Sequence, residues 1–136
     1  MRPKRPSSTR FAAAIAARLN AVVPAGLSVR SIGSSVDVYG RRTSRHAGAG
    51  AEHIENEDGH TVGEMAEGIA WAILNGAQDG VMEILTEPWP VAADGRAAEP
   101  GTRVQDDELR MWFGDERAPV VALQPIPIAE LFEGAA

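Results

Sequence analysis

The sequence predicts an α+β fold in which two helices lie on one face of a four- or five-stranded antiparallel sheet. Three observations lead to this prediction. Apolar residues recur at helical spacing in two segments, they alternate at strand spacing in two others, and glycine or proline residues separate these segments. The predicted order is helix, β-hairpin, long loop, long helix, antiparallel β-meander and short C-terminal helix.

The length of 136 residues predicts a single domain. Residues 1–8 carry three basic residues and two prolines, so we expect a disordered basic tail, with residues 9–136 forming the α+β domain. The chain holds 23 alanines, which each bury little surface. We therefore expect a thin core whose stability is modest without a partner.

Ser8 or Thr9 caps the first helix, which runs to about Val23. Its apolar stripe consists of Phe11, Ile15, Leu19 and Val22. A β-hairpin follows, with strands at 27–32 and 35–39. Strand alternation places Val36 and Val38 on one face of this hairpin, and Asp37 and Tyr39 on the other.

Residues 41–60 contain one large apolar side chain, Ile54, in twenty positions. A segment of this composition offers almost nothing to a core, so we expect a mobile loop, or at best a weak edge strand.

The second helix opens at Thr61 and Glu64, whose spacing is that of a capping box, and runs to about Leu85. Its predicted buried stripe consists of Met65, Ile69, Ala72, Ile73, Gly76 and Gly80. The alternative is a helix broken in two at Asn75 and Gly76.

A proline-rich loop follows at 86–102, and the meander takes strands at 102–105, 108–113 and 119–124. Pro127 occupies a first-turn position, so we expect a short docked C-terminal helix carrying Ile128, Leu131 and Phe132.

Charge is divided unevenly along the chain, with a net of +8 over residues 1–46 and −14 over residues 47–136. Such asymmetry indicates either a polyanion-binding segment or halves that attract each other, within one chain or between copies. No apolar run reaches the ~18 residues of a membrane span, and no secretory pattern is present, so we expect a cytoplasmic protein without a membrane partner. The absence of cysteine excludes disulfides and thiolate chemistry.

The three histidines, His46, His53 and His60, lie seven residues apart among acidic residues and are weak candidates for metal ligands. The surrounding glycines oppose the helix that would align them. We expect a solvated acidic loop and no cofactor. The acids Asp106, Asp107 and Glu108 are typical of a solvated turn. No nucleophile or phosphate-binding motif is present, so the sequence argues against an enzyme.

A nucleic-acid interpretation rests on Arg2, Lys4 and Arg5 in the tail, together with Arg10 and Arg18 on the first helix. The sequence pI of about 5.0 and the lack of interleaved aromatic residues argue against it.

Aromatic placement indicates a binding surface instead. If the apolar residues of the meander face the helices, Tyr39 and Trp112 project from the opposite face of the sheet, with Arg110 nearby. Trp, Tyr and Arg are the residue types that concentrate binding energy at interfaces. These three residues are therefore the candidate partner-binding site, and we expect Trp71 to be a core residue and Trp89 to anchor its loop.

Together these observations predict a non-enzymatic, cytoplasmic protein-binding adaptor or chaperone-like module that acts as a homodimer, with Tyr39 and Trp112 at or next to the dimer interface. The element order loosely resembles that of the small dimeric chaperones of the type III secretion class, a likeness of fold that carries no residues over. Three alternatives remain. They are an acidic immunity-type inhibitor that binds a basic partner through residues 52–67 and 106–116, a nucleic-acid-associated protein, and a metal-dependent enzyme at the histidine loop.

Overall fold

The computed structural model describes residues 5–40 and 61–133, and the backbone of residues 49–50. The α+β class is confirmed: two helices, α1 (Ser8–Asn20) and α2 (Val62–Leu85), pack against antiparallel sheets. The strands are β1 (Arg5–Pro6), β2 (Leu27–Ile32), β3 (Ser35–Gly40), β4 (Ala49–Gly50), β5 (Pro100–Gln105), β6 (Glu108–Asp115), β7 (Ala118–Ala122), β8 (Ile126–Pro127) and β9 (Phe132–Glu133).

Helix α1 begins one residue earlier than expected, because the side chain of Ser7 accepts a hydrogen bond from the backbone N–H of Arg10 at 3.3 Å. Three residues of its predicted apolar stripe, Phe11, Ile15 and Leu19, are buried, whereas Val22 lies beyond the end of the helix and is partly buried. The helix ends at Asn20, whose Oδ1 accepts the backbone N–H of Val29 at 2.9 Å and so ties the helix to β2. The hairpin strands β2 and β3 also lie where the sequence predicts them.

The predicted capping box of α2 is confirmed. The backbone N–H of Glu64 donates to Thr61 Oγ1 at 3.0 Å, and the backbone N–H of Thr61 donates to Glu64 Oε1 at 3.1 Å. The helix continues without a break through Asn75 and Gly76.

The prediction of one sheet with both helices on one face is wrong, because the strands of the described residues form separate sheets. Their orders are β1–β9, β2–β3–β4, and β5–β6–β7 with β8 also pairing with β6. Helix α1 packs on β2 and β3, whereas α2 packs on strands of both larger sheets. The physical reason is that α2 buries a second stripe of small residues, Ala66, Ala70 and Ala77, beside its larger apolar residues.

Both chain ends differ from the prediction. Residues 5–8 do not form a tail: β1 pairs with β9, and the N–H of Ser7 donates to the carbonyl of Leu131 at 2.8 Å. The predicted C-terminal helix is only a 3₁₀ turn at Ile128–Glu130, because the chain must then extend to pair with β1 and to place the ring of Phe132 5.8 Å from that of Phe11.

The loop between α2 and β5 is anchored as expected for Trp89, whose ring packs 5.4 Å from that of Phe113. The buried side chain of Gln78 supports this loop, because its amide nitrogen donates to the carbonyls of Trp89 at 3.1 Å and Ala98 at 2.6 Å. A buried amide placed between two carbonyls holds the loop in one conformation.

Several predictions fall on residues that are not described, namely Arg2, Lys4, residues 41–48 and 51–60, and with them His46, His53 and His60. Within the predicted loop, Ala49–Gly50 form the short strand β4 beside Ser35 and Val36, which agrees with the weak edge strand left open above. In the described ranges, no helix is long and apolar enough to cross a bilayer.

Candidate functional site

Strand β6 presents two different faces. Leu109, Met111 and Phe113 point into the core and are almost completely buried, as predicted. The residues between them, Arg110 and Trp112, therefore point outward, where Arg110 is exposed and Trp112 is half-buried. The prediction that Trp112 and Arg110 lie together on the outer face of the meander agrees with this alternation.

Trp112 packs closely against a glycine of the neighbouring strand. Gly101 of β5 is the direct cross-strand partner of Trp112, and a Cβ atom at residue 101 would overlap the indole ring. On the other side, Trp112 pairs with Ala122 of β7. The indole therefore lies between two small residues and stays half-buried.

A surface pocket of about 240 Å³ lies beside this indole. It is lined by Gln105, Arg110, Met111, Trp112, Glu116, Pro119, Ala122, Leu123 and Pro125. The polar groups at this pocket are a guanidinium, an amide and a carboxylate, and the remaining lining is mostly apolar. Such a mixture suits an amphipathic side chain.

Of the two arginines around the pocket, one has an acidic partner and the other has none among the described residues. Arg103 and Arg110 are direct cross-strand partners, and like charges in this position repel each other. Glu116 neutralises Arg103 through two hydrogen bonds, from Nε at 2.5 Å and from Nη2 at 2.8 Å. These bonds to Arg103 also hold the pKa of Glu116 below its usual value. The guanidinium of Arg110 forms no hydrogen bond or ion pair with any residue that the structure describes.

Tyr39, the third candidate, belongs to a different cluster in the β2–β3–β4 sheet. Its hydroxyl donates to Asp37 Oδ2 at 3.3 Å, and the guanidinium of Arg30 lies 5.6 Å from its ring centroid. Burial, followed by the charge of Asp37, raises the pKa of Tyr39. Asp37 is fully buried, so this face is not open at that position, and Tyr39 does not line the pocket of Trp112.

Two basic residues of the nucleic-acid interpretation are engaged within the chain. Arg10 donates to the carbonyl of Phe132 at 3.2 Å, and Arg18 Nε donates to the carbonyl of Gln124 at 2.9 Å. Arg18 also reaches the carbonyl of Pro125, at 3.2 Å from Nη2. Arg5 lies in β1. Arg10 and Arg18 therefore fasten the C-terminal segment to α1 rather than standing free for phosphates.

The acids of residues 106–116 do not form one surface. Asp106 and Asp107 form a turn with positive φ angles of 55° and 62° at one end of β6, whereas Asp115 and Glu116 lie at the other end. Among the described residues, no three His, Asp or Glu side chains come together as a group that could hold a metal ion.

Gly101, Arg103 and Glu116 also belong to this site, although the sequence patterns singled out none of them individually. A signal for Gly101 was present, because a glycine inside a strand often marks a close approach by another group. The pairing of Arg103 with Glu116 depends on the register of β5 against β6 and on the following turn, which local patterns do not fix.

Trp71 also differs from expectation. It lies on the outer side of α2 with 46% of its surface exposed, rather than in the core. Its neighbour Ala72, predicted to be buried, is exposed as well. The buried face of α2 lies on the other side of the helix, so Trp71 and Ala72 face the solvent.

Comparisons of the chain with protein-family models, with curated proteins and with solved structures find no match, so the site stands on its own geometry.

Proposed function

We propose that this chain is a non-enzymatic, cytoplasmic protein-binding module whose partner docks on the outer face of the β5–β6–β7 sheet. One observation carries the proposal: Arg110 and Trp112 line the same open pocket, and the guanidinium of Arg110 has no partner among the described residues. Arg and Trp side chains that are accessible and lie side by side are typical of residues that dominate binding energy.

The size and chemistry of the pocket favour a protein partner. Its volume of about 240 Å³ is smaller than the ~300–1,000 Å³ of sites for drug-sized ligands, and suits one or two side chains. Its only acid is Glu116, whose pKa is held low by Arg103. The pocket therefore holds polar and aromatic groups suited to binding, and it contains no base that titrates near neutral pH.

The homodimer expected from the sequence remains part of this proposal, but we now assign it to α2. Trp71 is the exposed aromatic residue of that helix, and Gly68 and Ala72 beside it are also exposed. Small residues around an exposed tryptophan let a second helix approach closely. This assignment leaves the Trp112 face for the partner protein.

Affinity purification from the native host tests the proposed function. We expect Arg110→Gln and Trp112→Ala each to lose a protein that the wild type retains. Arg117→Gln is the matched control, since Arg117 is exposed on the neighbouring turn and does not line the pocket. Retention of the same proteins by all four chains would contradict the proposal.

A further inference from the structure

The two edges of the β5–β6–β7 sheet are not equivalent. At the β5 edge, the N–H of Val104 donates to Glu67 Oε2 at 2.7 Å, and Thr102 Oγ1 donates to the carbonyl of Glu67 at 2.9 Å. Helix α2 thus covers this edge. No strand of the described residues pairs with the outer edge of β7, which is the last strand in the sheet order.

The outer edge of β7 offers main-chain groups to another strand. The N–H of Leu123 donates to the carbonyl of Met111 at 3.0 Å, and Ala122 pairs with Trp112. Antiparallel strands alternate between inward and outward hydrogen-bonding residues, so the N–H and C=O of Ala122 point away from β6. Strand β7 carries no charged residue, and the two features that discourage pairing, Pro119 and the bulge opposite Phe113 and Gly114, lie toward its beginning, so the outward groups of Ala122 at its end stay open to another strand.

A strand added to β7 would also bring side chains to the pocket. The new strand would lie roughly 10 Å from β6, two strand spacings away. Ala122 of β7 lies directly opposite Trp112, and therefore between β6 and the new strand, and its small side chain lines the pocket. An acidic side chain on the new strand can therefore reach over Ala122 toward Arg110.

The charge pattern selects the chemistry of that side chain. Arg103 and Arg110 lie opposite each other, and Glu116 neutralises only Arg103. A carboxylate is the group that matches a guanidinium with two parallel hydrogen bonds. It would also remove the repulsion between the two arginines that remains in the free chain.

We propose that the partner binds as an extended acidic peptide, which adds a strand to the edge of β7 and places a carboxylate against Arg110. This inference rests on the proposed function and specifies its ligand. Main-chain hydrogen bonds to β7 supply affinity, as in other cases of strand addition, and the pocket supplies specificity through one acidic side chain.

Fluorescence anisotropy with a labelled peptide of alternating valine and glutamate tests the inference, with the valine–lysine peptide as the matched probe. We expect the glutamate peptide alone to bind, with affinity reduced about tenfold or more by Arg110→Gln. Arg117→Gln should change it by less than about twofold, as expected for an exposed charge outside the site. Equal binding of both peptides would overturn the inference.

Hydrogen exchange tests separately whether the peptide pairs with the outer edge of β7. Hydrogen exchange at the outward N–H of Ala122 should slow when the glutamate peptide binds. Ala122→Pro removes that N–H without removing a bond to β6, and should abolish peptide binding. Unchanged exchange at Ala122, or a wild-type dimer that Ala122→Pro dissociates, would contradict the inference, the latter because a second copy would then occupy the edge.

Failure of this inference differs from failure of the proposed function. If neither peptide binds while Arg110→Gln still loses the host protein, the extended acidic ligand is wrong and the binding face stands. If host capture is indifferent to both Arg110→Gln and Trp112→Ala, the binding face itself is wrong.

Discussion

The indole ring of Trp112 on β6 occupies the space where a side chain of its cross-strand partner on β5, Gly101, would lie. Glycine is required here by close approach and not by a left-handed backbone, because any Cβ atom at residue 101 would overlap the ring. A glycine inside a strand ordinarily weakens it, and an aromatic ring packed across it restores buried contact. The pair thereby fixes the position of the ring beside the pocket.

We expect Gly101→Ala to destabilise the protein by about 1–3 kcal/mol, because the indole must move from its site. Urea unfolding measures the loss. Gly63→Ala is the control, since its added Cβ on α2 would make only ordinary van der Waals contacts, the nearest with Val104 at 3.5 Å. That change should stabilise the chain by up to about 1 kcal/mol through helix propensity. A neutral Gly101→Ala would show that the ring does not depend on this glycine.

Arg18→Met should destabilise the protein by about 1–3 kcal/mol, because it leaves the carbonyls of Gln124 and Pro125 without their guanidinium donor. Methionine keeps the apolar stem, so the change isolates the hydrogen bonds. Arg96→Met, on an exposed loop, should alter the free energy of unfolding by less than about 0.5 kcal/mol. Equal effects of the two substitutions would refute the proposed fastening of the C-terminal segment.

Tyr39 is the only tyrosine of the chain, so tyrosinate absorbance reports its titration alone. Burial and Asp37 raise its pKa, and we expect a midpoint above the ordinary 10.0. The folded state then retains the proton longer than the unfolded chain does. The associated stability is present below pH 10.0 and is lost as pH rises through the folded pKa. Arg30→Gln should raise the midpoint further, because the charge of Arg30 lowers the pKa of Tyr39. A wild-type midpoint at or below 10.0 would contradict the contact of Tyr39 with Asp37.

Sedimentation equilibrium at micromolar concentration tests the homodimer. We expect a species of twice the 14.4 kDa chain mass, which Trp71→Ala dissociates and Trp112→Ala leaves intact. A wild-type monomer would discard the dimer. Dissociation by Trp112→Ala alone would return its interface to the outer face of β6.

Local patterns predicted most of the individual elements. The capping box of Thr61 and Glu64, the hairpin strands and the alternation along β6 each depend on residues close in sequence, so their signals are readable. The same alternation placed Arg110 and Trp112 outward. These parts of the fold and site needed no knowledge of distant contacts.

What the sequence did not reveal depends on long-range pairing. The division into separate sheets follows from the two buried stripes of α2, of which the alanine stripe carries little hydrophobic signal. The pairing of β1 with β9 joins residues at opposite ends of the chain. Separation of Tyr39 from Trp112 follows from the same division, because the two residues belong to different sheets.

Site-specific photocrosslinking in the native host tests the central claim most directly. A photoreactive amino acid at Val120, which is exposed on β7, should crosslink to the partner protein, and Arg110→Gln in the same chain should abolish the crosslink. The same group at Asp94, on the exposed loop before β5, should give none. A crosslink that survives Arg110→Gln, or one that forms equally from Asp94, would contradict a binding face built on Arg110 and Trp112.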